Sequence, residues 1–343
     1  PTFGRRSATA TKSIPILPTT TMDMRRYYRP ACTPPVPVGK AAVLPLPSIR
    51  NLPVPVGDLP IVLTLAIASA LSLGVADFVA GATVRKDRRS NAAMTYTAIA
   101  AGVGAIVALL ALPIARPEVF AAADVFWAMG AGVSIGIALP LLMVGMGRGP
   151  MAIVAPVIGL TSLAVPAIVG PLLGDILSGL EVAGLLLAFP ATALVAMSPH
   201  RAADALPVPS AIAIAALSGS LLGTSAVFYG RTATESGIGP GVVSQVTAAL
   251  LLLGIGLVSR RLVRPTRSAL PLAVWVGVLS GFATLTSVLA YQRGPVSIVA
   301  AIIGLAPGPA VVLAWLVANE RIGRLQIIGF AVGVLAVILF AIG

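Results

Sequence analysis

Asp77 is the one carboxylate in the interior of a long apolar run, about four residues from its end. A charge in hydrocarbon costs several kcal/mol, so such a group usually lines a cavity or relays a proton. The alternative is that Asp77 reaches the nearby interface and pairs with the basic loop "VRKDRR" at 84–89. Tyr229, Gln245, Tyr291 and Gln292 add neutral hydrogen-bonding groups within other apolar runs. Arg148 and Arg293 each open an "RGP" triplet at the end of a run. There an arginine holds an anionic group or latches a gate, or else snorkels to the interface ahead of a helix that Gly-Pro starts well. Pro140, Pro156, Pro166, Pro307 and Pro309 lie inside apolar runs, where each proline removes a backbone donor. Broken helices of that kind often surround solute sites in membranes.

These residue types exclude several chemistries. A single histidine, His200, sits in the polar stretch "SPHRAAD" and lacks partners for a metal site. A single cysteine, Cys32, allows no disulfide within the chain and no cysteine metal cluster. Hydrolysis or group transfer inside the membrane needs paired acids, a metal or a Ser/His arrangement, and one carboxylate does not supply it. No "GxxxxGK[ST]" stretch is present, so nothing points to nucleotide-driven work, and no cofactor motif is found. No catalytic residue is assigned.

The elements that carry these residues follow from hydropathy. Of the 343 residues 57 % are hydrophobic and only 10 % charged, with mean hydropathy +1.00, far from the roughly 25 % charged of a soluble chain. The solvent is a bilayer. A helix rising about 1.5 Å per residue needs roughly 20 residues to cross a core about 30 Å thick. Apolar runs of that length recur at 59–81, 92–114, 124–147, 150–173, 180–198, 209–230, 238–258, 269–291, 295–318 and 322–342. They are continuous rather than alternating, which predicts helices and not barrel strands. The first run is a retained span and not a cleaved signal, because its partner "LSGSLLGTSAVFYG" lies deep in the chain.

The chain repeats itself. "RGPMAIVAPVIGL" from Arg148 and "RGPVSIVAAIIGL" from Arg293 agree at nine of thirteen positions, 145 residues apart. The same offset pairs Gly132 with Gly277, Gly136 with Gly281, Asp175 with Glu320 and Gly184 with Gly329. The halves are therefore expected at 59–198 and 209–343, five spans each. Five is odd, so the second half enters the membrane upside down relative to the first. The expected fold is all-α: ten transmembrane helices as two inverted five-helix repeats, with a site between them near the midplane. Gate positions then come in pairs, Arg148 with Arg293 and Asp175 with Glu320.

The sequence resembles the EamA-type members of the drug/metabolite transporter superfamily. The resemblance rests on "GVADFVAG" (74–81), "GRGPMAIVAPVIGL" (147–160), "YQRGPVSIVAAIIGL" (291–305) and "ANERIGRLQIIGFAVGVLAVILF" (318–340). It covers residues 59–343. The last segment carries the family's ending at Glu320, Arg321, Gln326 and Gly329; the first half departs from it with Asp175 and Glu181 but keeps Gly184. The resemblance implies secondary transport of small metabolites, amino acids or drugs, often as export, by alternating access. Coupling to protons is the expectation, since few other ion-binding groups exist. The competing class is a non-transporting scaffold or a lipid-flipping accessory protein with a groove open to lipid.

Residues 1–58 differ from the rest. Twelve of the 29 prolines fall by Pro60, and eight Lys/Arg face only Asp23 and Asp58, which predicts a disordered basic tail. Arginine outnumbers lysine 20 to 3, the usage of a GC-rich genome, and Val54 or Val56 is an alternative start. The net charge of +12 does not point to nucleic acid, because the basic residues sit in that tail and in short loops without interleaved aromatics. Loops after odd spans hold twelve Lys/Arg and loops after even spans three, which places the former in the cytoplasm of a bacterial plasma-membrane protein and both termini outside.

Overall fold

The computed structural model describes residues 59–87, 89, 91–115, 117, 119–148, 151–196, 207–318 and 323–343. The expected tail at 1–58 and Glu320 lie outside the described residues. Eleven α-helices follow in order: α1 Leu59–Lys86, α2 Ala92–Ala111, α3 Ala122–Arg148, α4 Met151–Leu172, α5 Gly179–Ala196 and α6 Val208–Gly230, then α7 Gly239–Val258, α8 Leu270–Arg293, α9 Val296–Ile303, α10 Pro307–Ala318 and α11 Arg324–Ile342. With α9 and α10 taken as one span, ten are long and apolar enough to cross a membrane. Each matches an expected run to within a few residues.

Proline explains where the helices begin. It occupies the first turn of α6, α7 and α8, where its missing N–H has no partner to lose. Within spans its effect depends on spacing. The expectation that prolines break the third, fourth and ninth spans holds only for the ninth. α3 runs through Pro140, and α4 runs through Pro156, Pro166 and Pro171. Those prolines are five or more residues apart, so each removes one ladder bond between intact turns. In the ninth span Pro307 and Pro309 stand two apart with glycine at 304 and 308. The ladder there shifts to shorter bonds: Leu305 N–H donates to Ile302 O, Ala306 N–H to Ile303 O and Gly308 N–H to Leu305 O, all at 2.8–3.1 Å. Residues 304–306 form the break.

The helices pack in reciprocal pairs. α1 lies on α8 as α6 lies on α3, α2 on α8 as α7 on α3, and α4 on α6 as α9 and α10 on α1. α5 pairs with α11, α2 with α7 and α4 with α9. Exchanging the halves maps this list onto itself. Glycines make the close crossings possible: a Cβ on Gly132 would stand 2.5 Å from Ser244 O, and one on its partner Gly277 would stand 2.6 Å from Ala100 O.

Loop contacts define two ends of the bundle. At one, Asp124 Oδ1 accepts the Ala233 N–H (2.9 Å) and Val119 N–H donates to Glu235 O (3.3 Å). Asp124, Asp175, Glu181 and Glu235 gather here, so it is called the acidic end. At the other, the basic end, Asp87 accepts Arg89 Nε (2.8 Å) and Nη2 (2.6 Å) and the Tyr96 hydroxyl (2.7 Å). Tyr96 in turn accepts the Thr266 N–H at 3.0 Å, and Arg89 donates to Arg264 O at 2.8 Å. Arg89 and then Tyr96 hold the Asp87 carboxyl well below the usual carboxylate range. The main core lies on the acidic-end side, around α9 and the end of α8.

Candidate functional site

The polar residues sort by level in the bundle. Tyr229 is in the last turn of α6, and Tyr291 and Gln292 are in the last turn of α8, so all three stand at the acidic end rather than at the midplane. The two tyrosine rings stack, with centroids 6.2 Å apart and planes inclined by 23°. The Tyr229 hydroxyl donates to Ser244 Oγ at 2.7 Å, and Ser244 Oγ donates to Gly241 O at 2.9 Å. Gln292 Nε2 reaches Thr232 Oγ1 (3.1 Å), Ser236 Oγ (3.3 Å) and Gly237 O (3.0 Å). This buried network ties α8 to the loop after α6 and closes that end. Tyr291 differs: it is buried, yet its hydroxyl makes no hydrogen bond among the described residues.

Asp77 lies towards the other end of α1 and is exposed. One turn before it, Gly74 packs so tightly on α10 that a Cβ would strike Ala306 O and come within 2.9 Å of Pro309. Three residues on, a helix has turned about 300° and risen about 4.5 Å, so Asp77 projects from α1 about 60° round from that crossing and one turn nearer the basic end. Among the described residues nothing pairs with its carboxylate. The adjoining loop does not neutralise it through Arg89, whose guanidinium is held by Asp87.

Burial along the ninth span changes at the break. Every residue of α9 from Val296 to Ile302 is buried. From Pro309 to Val317, more than two turns of α10, none is. Beyond the break α10 is half-buried from Pro309 to Ala314 and exposed from Trp315 to Val317. α8 agrees: in its first half only Ala273 and Gly277 are buried, whereas most residues from Gly281 to Gln292 are.

The remaining candidates separate from this site. Gln245 is buried on α7, but its amide lies against Gly104 of α2, a Cβ there meeting Nε2 at 2.8 Å, while the adjacent Ser244 faces Tyr229. Pro156 is buried and Pro140 half-buried within unbroken helices; Pro307 opens α10. Arg148 is the last residue of α3. Arg293 donates from Nη1 to Leu289 O at 3.1 Å, one turn back, and so caps the negative end of its own helix. Asp175 Oδ2 accepts the Ser297 N–H (3.0 Å) and hydroxyl (2.9 Å) across the two halves.

The positions matching the family's Gln are helix caps in both halves. Gln326 Oε1 accepts the Gly323 N–H at 2.9 Å. Glu181 Oε2 accepts the Ser178 N–H at 2.6 Å, and Ser178 Oγ accepts the Glu181 N–H at 3.1 Å, a complete capping box. Sequence reasoning missed Ser244, Thr232, Ser236 and Ser297. Only Ser297 left a signal, as one of the four differences between the two copies of the repeated phrase, at the start of a helix.

The bundle defines the class: an all-helical integral membrane protein with ten helices long and apolar enough to cross a bilayer among the described residues. Residues 209–342, in the second half of the chain, match the EamA-like transporter family. No curated protein sequence matches the chain. A solved structure described as "Crystal structure of protein" is similar, with TM-score 0.63 and 18 % identity, covering 83 % of this chain and 97 % of that one. At that identity the likeness concerns the fold.

Proposed function

We propose that the chain is a secondary transporter that exports small metabolites, amino acids or drugs by alternating access, with Asp77 as its proton- or cation-binding group. The reading is carried by one observation: an exposed carboxylate, unpartnered among the described residues, lies inside a span about one turn from where α1 crosses the half-buried part of the ninth helix, whose other part is fully buried. Reciprocal packing of the halves, with their shared thirteen-residue phrase, supports two inverted repeats. Such halves exchange roles between two forms of comparable energy. The twelve basic residues support a cytoplasmic basic end, with the side of α1 that carries Asp77 towards the cytoplasm of a bacterial plasma-membrane protein. The stacked Tyr229 and Tyr291 form the floor of the opening from that end, with the Tyr291 hydroxyl as a donor for solute.

Proteoliposomes with an imposed proton gradient, screened by counterflow against amino acids, nucleobases, sugars and cationic drugs, test the reading. Solute movement that collapses with an uncoupler and falls by about tenfold or more in Asp77→Asn is the expected result. Wild-type rate and pH dependence in Asp77→Asn would remove Asp77 from the mechanism. Lipid redistribution without solute movement would make the protein a lipid-flipping accessory instead.

A further inference from the structure

We propose that Asp175, Ser297 and Gly170 form a one-sided latch that holds the acidic end shut, so that the protein rests open at the basic end. The proposal rests on the transporter reading above.

The latch is built by the end of α4. Gly174, at φ 103°, turns the chain out of the helix in a left-handed conformation that glycine adopts freely. Two bonds fix the turn: Gly174 N–H to Pro171 O at 3.2 Å and Asp175 N–H to Gly170 O at 3.0 Å. This aims the Asp175 carboxylate at the first turn of α9. There Oδ2 accepts both the N–H and the hydroxyl of Ser297, which is fully buried. The Ser297 hydroxyl also lies 3.1 Å from Pro166 O. A negative charge on the N-terminus of a helix meets both its free N–H groups and its dipole. Gly170 is required by the approach, since a Cβ would strike both Ser297 Oγ and Asp175 Oδ2.

The contact joins the first half of the chain to the second, and α9 is the segment that leads into the break at 304–306. Opening the acidic end means withdrawing α9 from α4, and this separates Asp175 from Ser297. The other end cannot repeat the arrangement. The offset of 145 places Glu320 opposite Asp175, but Ala152 stands where Ser297 does and Trp315 where Gly170 does. One copy has the hydroxyl and the gap; the other has neither. The duplicated fold makes the two ends equivalent in topology, and these substitutions make them unequal in energy.

Thiol labelling in nanodiscs tests this without a known substrate. Cys32 is replaced by Ser, and single reporters are placed at Ala300→Cys in buried α9 and Ala314→Cys in half-buried α10. In the otherwise native protein a bulky maleimide labels position 314 fast and position 300 slowly. Losing a hydrogen bond to a charged acceptor moves an equilibrium by about tenfold or more. Asp175→Ala with Ser297→Ala is therefore expected to raise labelling at 300 by about that factor and to slow it at 314. Asp175→Asn, which keeps an acceptor oxygen, falls between. Ser297→Ala alone, differing by one oxygen, is carried beside the double variant as the milder perturbation. Unchanged rates in these folded variants overturn the latch. Equal labelling of both reporters in the native protein, at every pH and with every solute, overturns the alternating-access reading itself.

Discussion

Replacing Gly132 or Gly277 by Ala tests the duplicated packing directly. The two residues are repeat partners at the α3–α7 and α2–α8 crossings. A Cβ on Gly132 would sit 2.5 Å from Ser244 O and 2.6 Å from Thr247 Cβ; on Gly277 it would sit 2.6 Å from both Ala100 O and Val103 Cβ. Ordinary contact begins at 3.4 Å, so each crossing must open by roughly 0.8–0.9 Å, and the obstacles are backbone oxygens and Cβ atoms that do not swing away. Overpacking of this kind costs about 1–3 kcal/mol. Alanine returns up to about 1 kcal/mol of helix propensity, leaving a net loss of about 0–2 kcal/mol. Gly102 and Gly254 supply the control, for a Cβ at either meets nothing within 4 Å. Their alanine variants should hold or gain up to about 1 kcal/mol. At roughly 2 °C per kcal/mol for a chain of this size, the two pairs should part by about 4 °C. Thermal unfolding of the four purified variants, followed by intrinsic fluorescence, reads this out. If all four melt together, or if Gly132→Ala and Gly277→Ala differ by as much as the pairs should, the reciprocal close-packing argument is wrong.

Two further expectations concern stability. Thr192 is fully buried and its hydroxyl has no hydrogen-bond partner among the described residues, so the isosteric Thr192→Val should stabilise the protein by about 1 kcal/mol; a loss of that size in the same melt would mean the hydroxyl is bonded. The Asp87 carboxyl is held below its ordinary range by Arg89 and Tyr96. Its contribution is therefore present above an unfolded pKa of about 3.9 and lost as pH falls further. Tm of the wild type should drop more steeply than that of Asp87→Asn between pH 6 and pH 3, and parallel profiles would refute the clasp at the basic end.

The sequence alone determined the solvent, the number of spans and their bounds. Twenty-residue apolar runs in a bilayer have one way to satisfy their backbone groups, so hydropathy and proline placement suffice, and every span falls where the runs do. The duplication was equally legible, because an offset of 145 survives in the residues themselves. What the tertiary structure decided was everything that depends on which faces meet. Pro156 and Pro307 are the same residue type in repeat-related spans, yet only the ninth span breaks, because a second proline two residues on removes another donor before the ladder recovers. Gln245 and Ser244 are neighbours in the chain, but a 100° turn sends one to Gly104 and the other to Tyr229. Asp175 read as a repeat position; that it caps a helix 122 residues later follows from the turn at Gly174 and the gap at Gly170. Local pattern sets which segments enter the membrane, and long-range packing sets which of their polar atoms find one another.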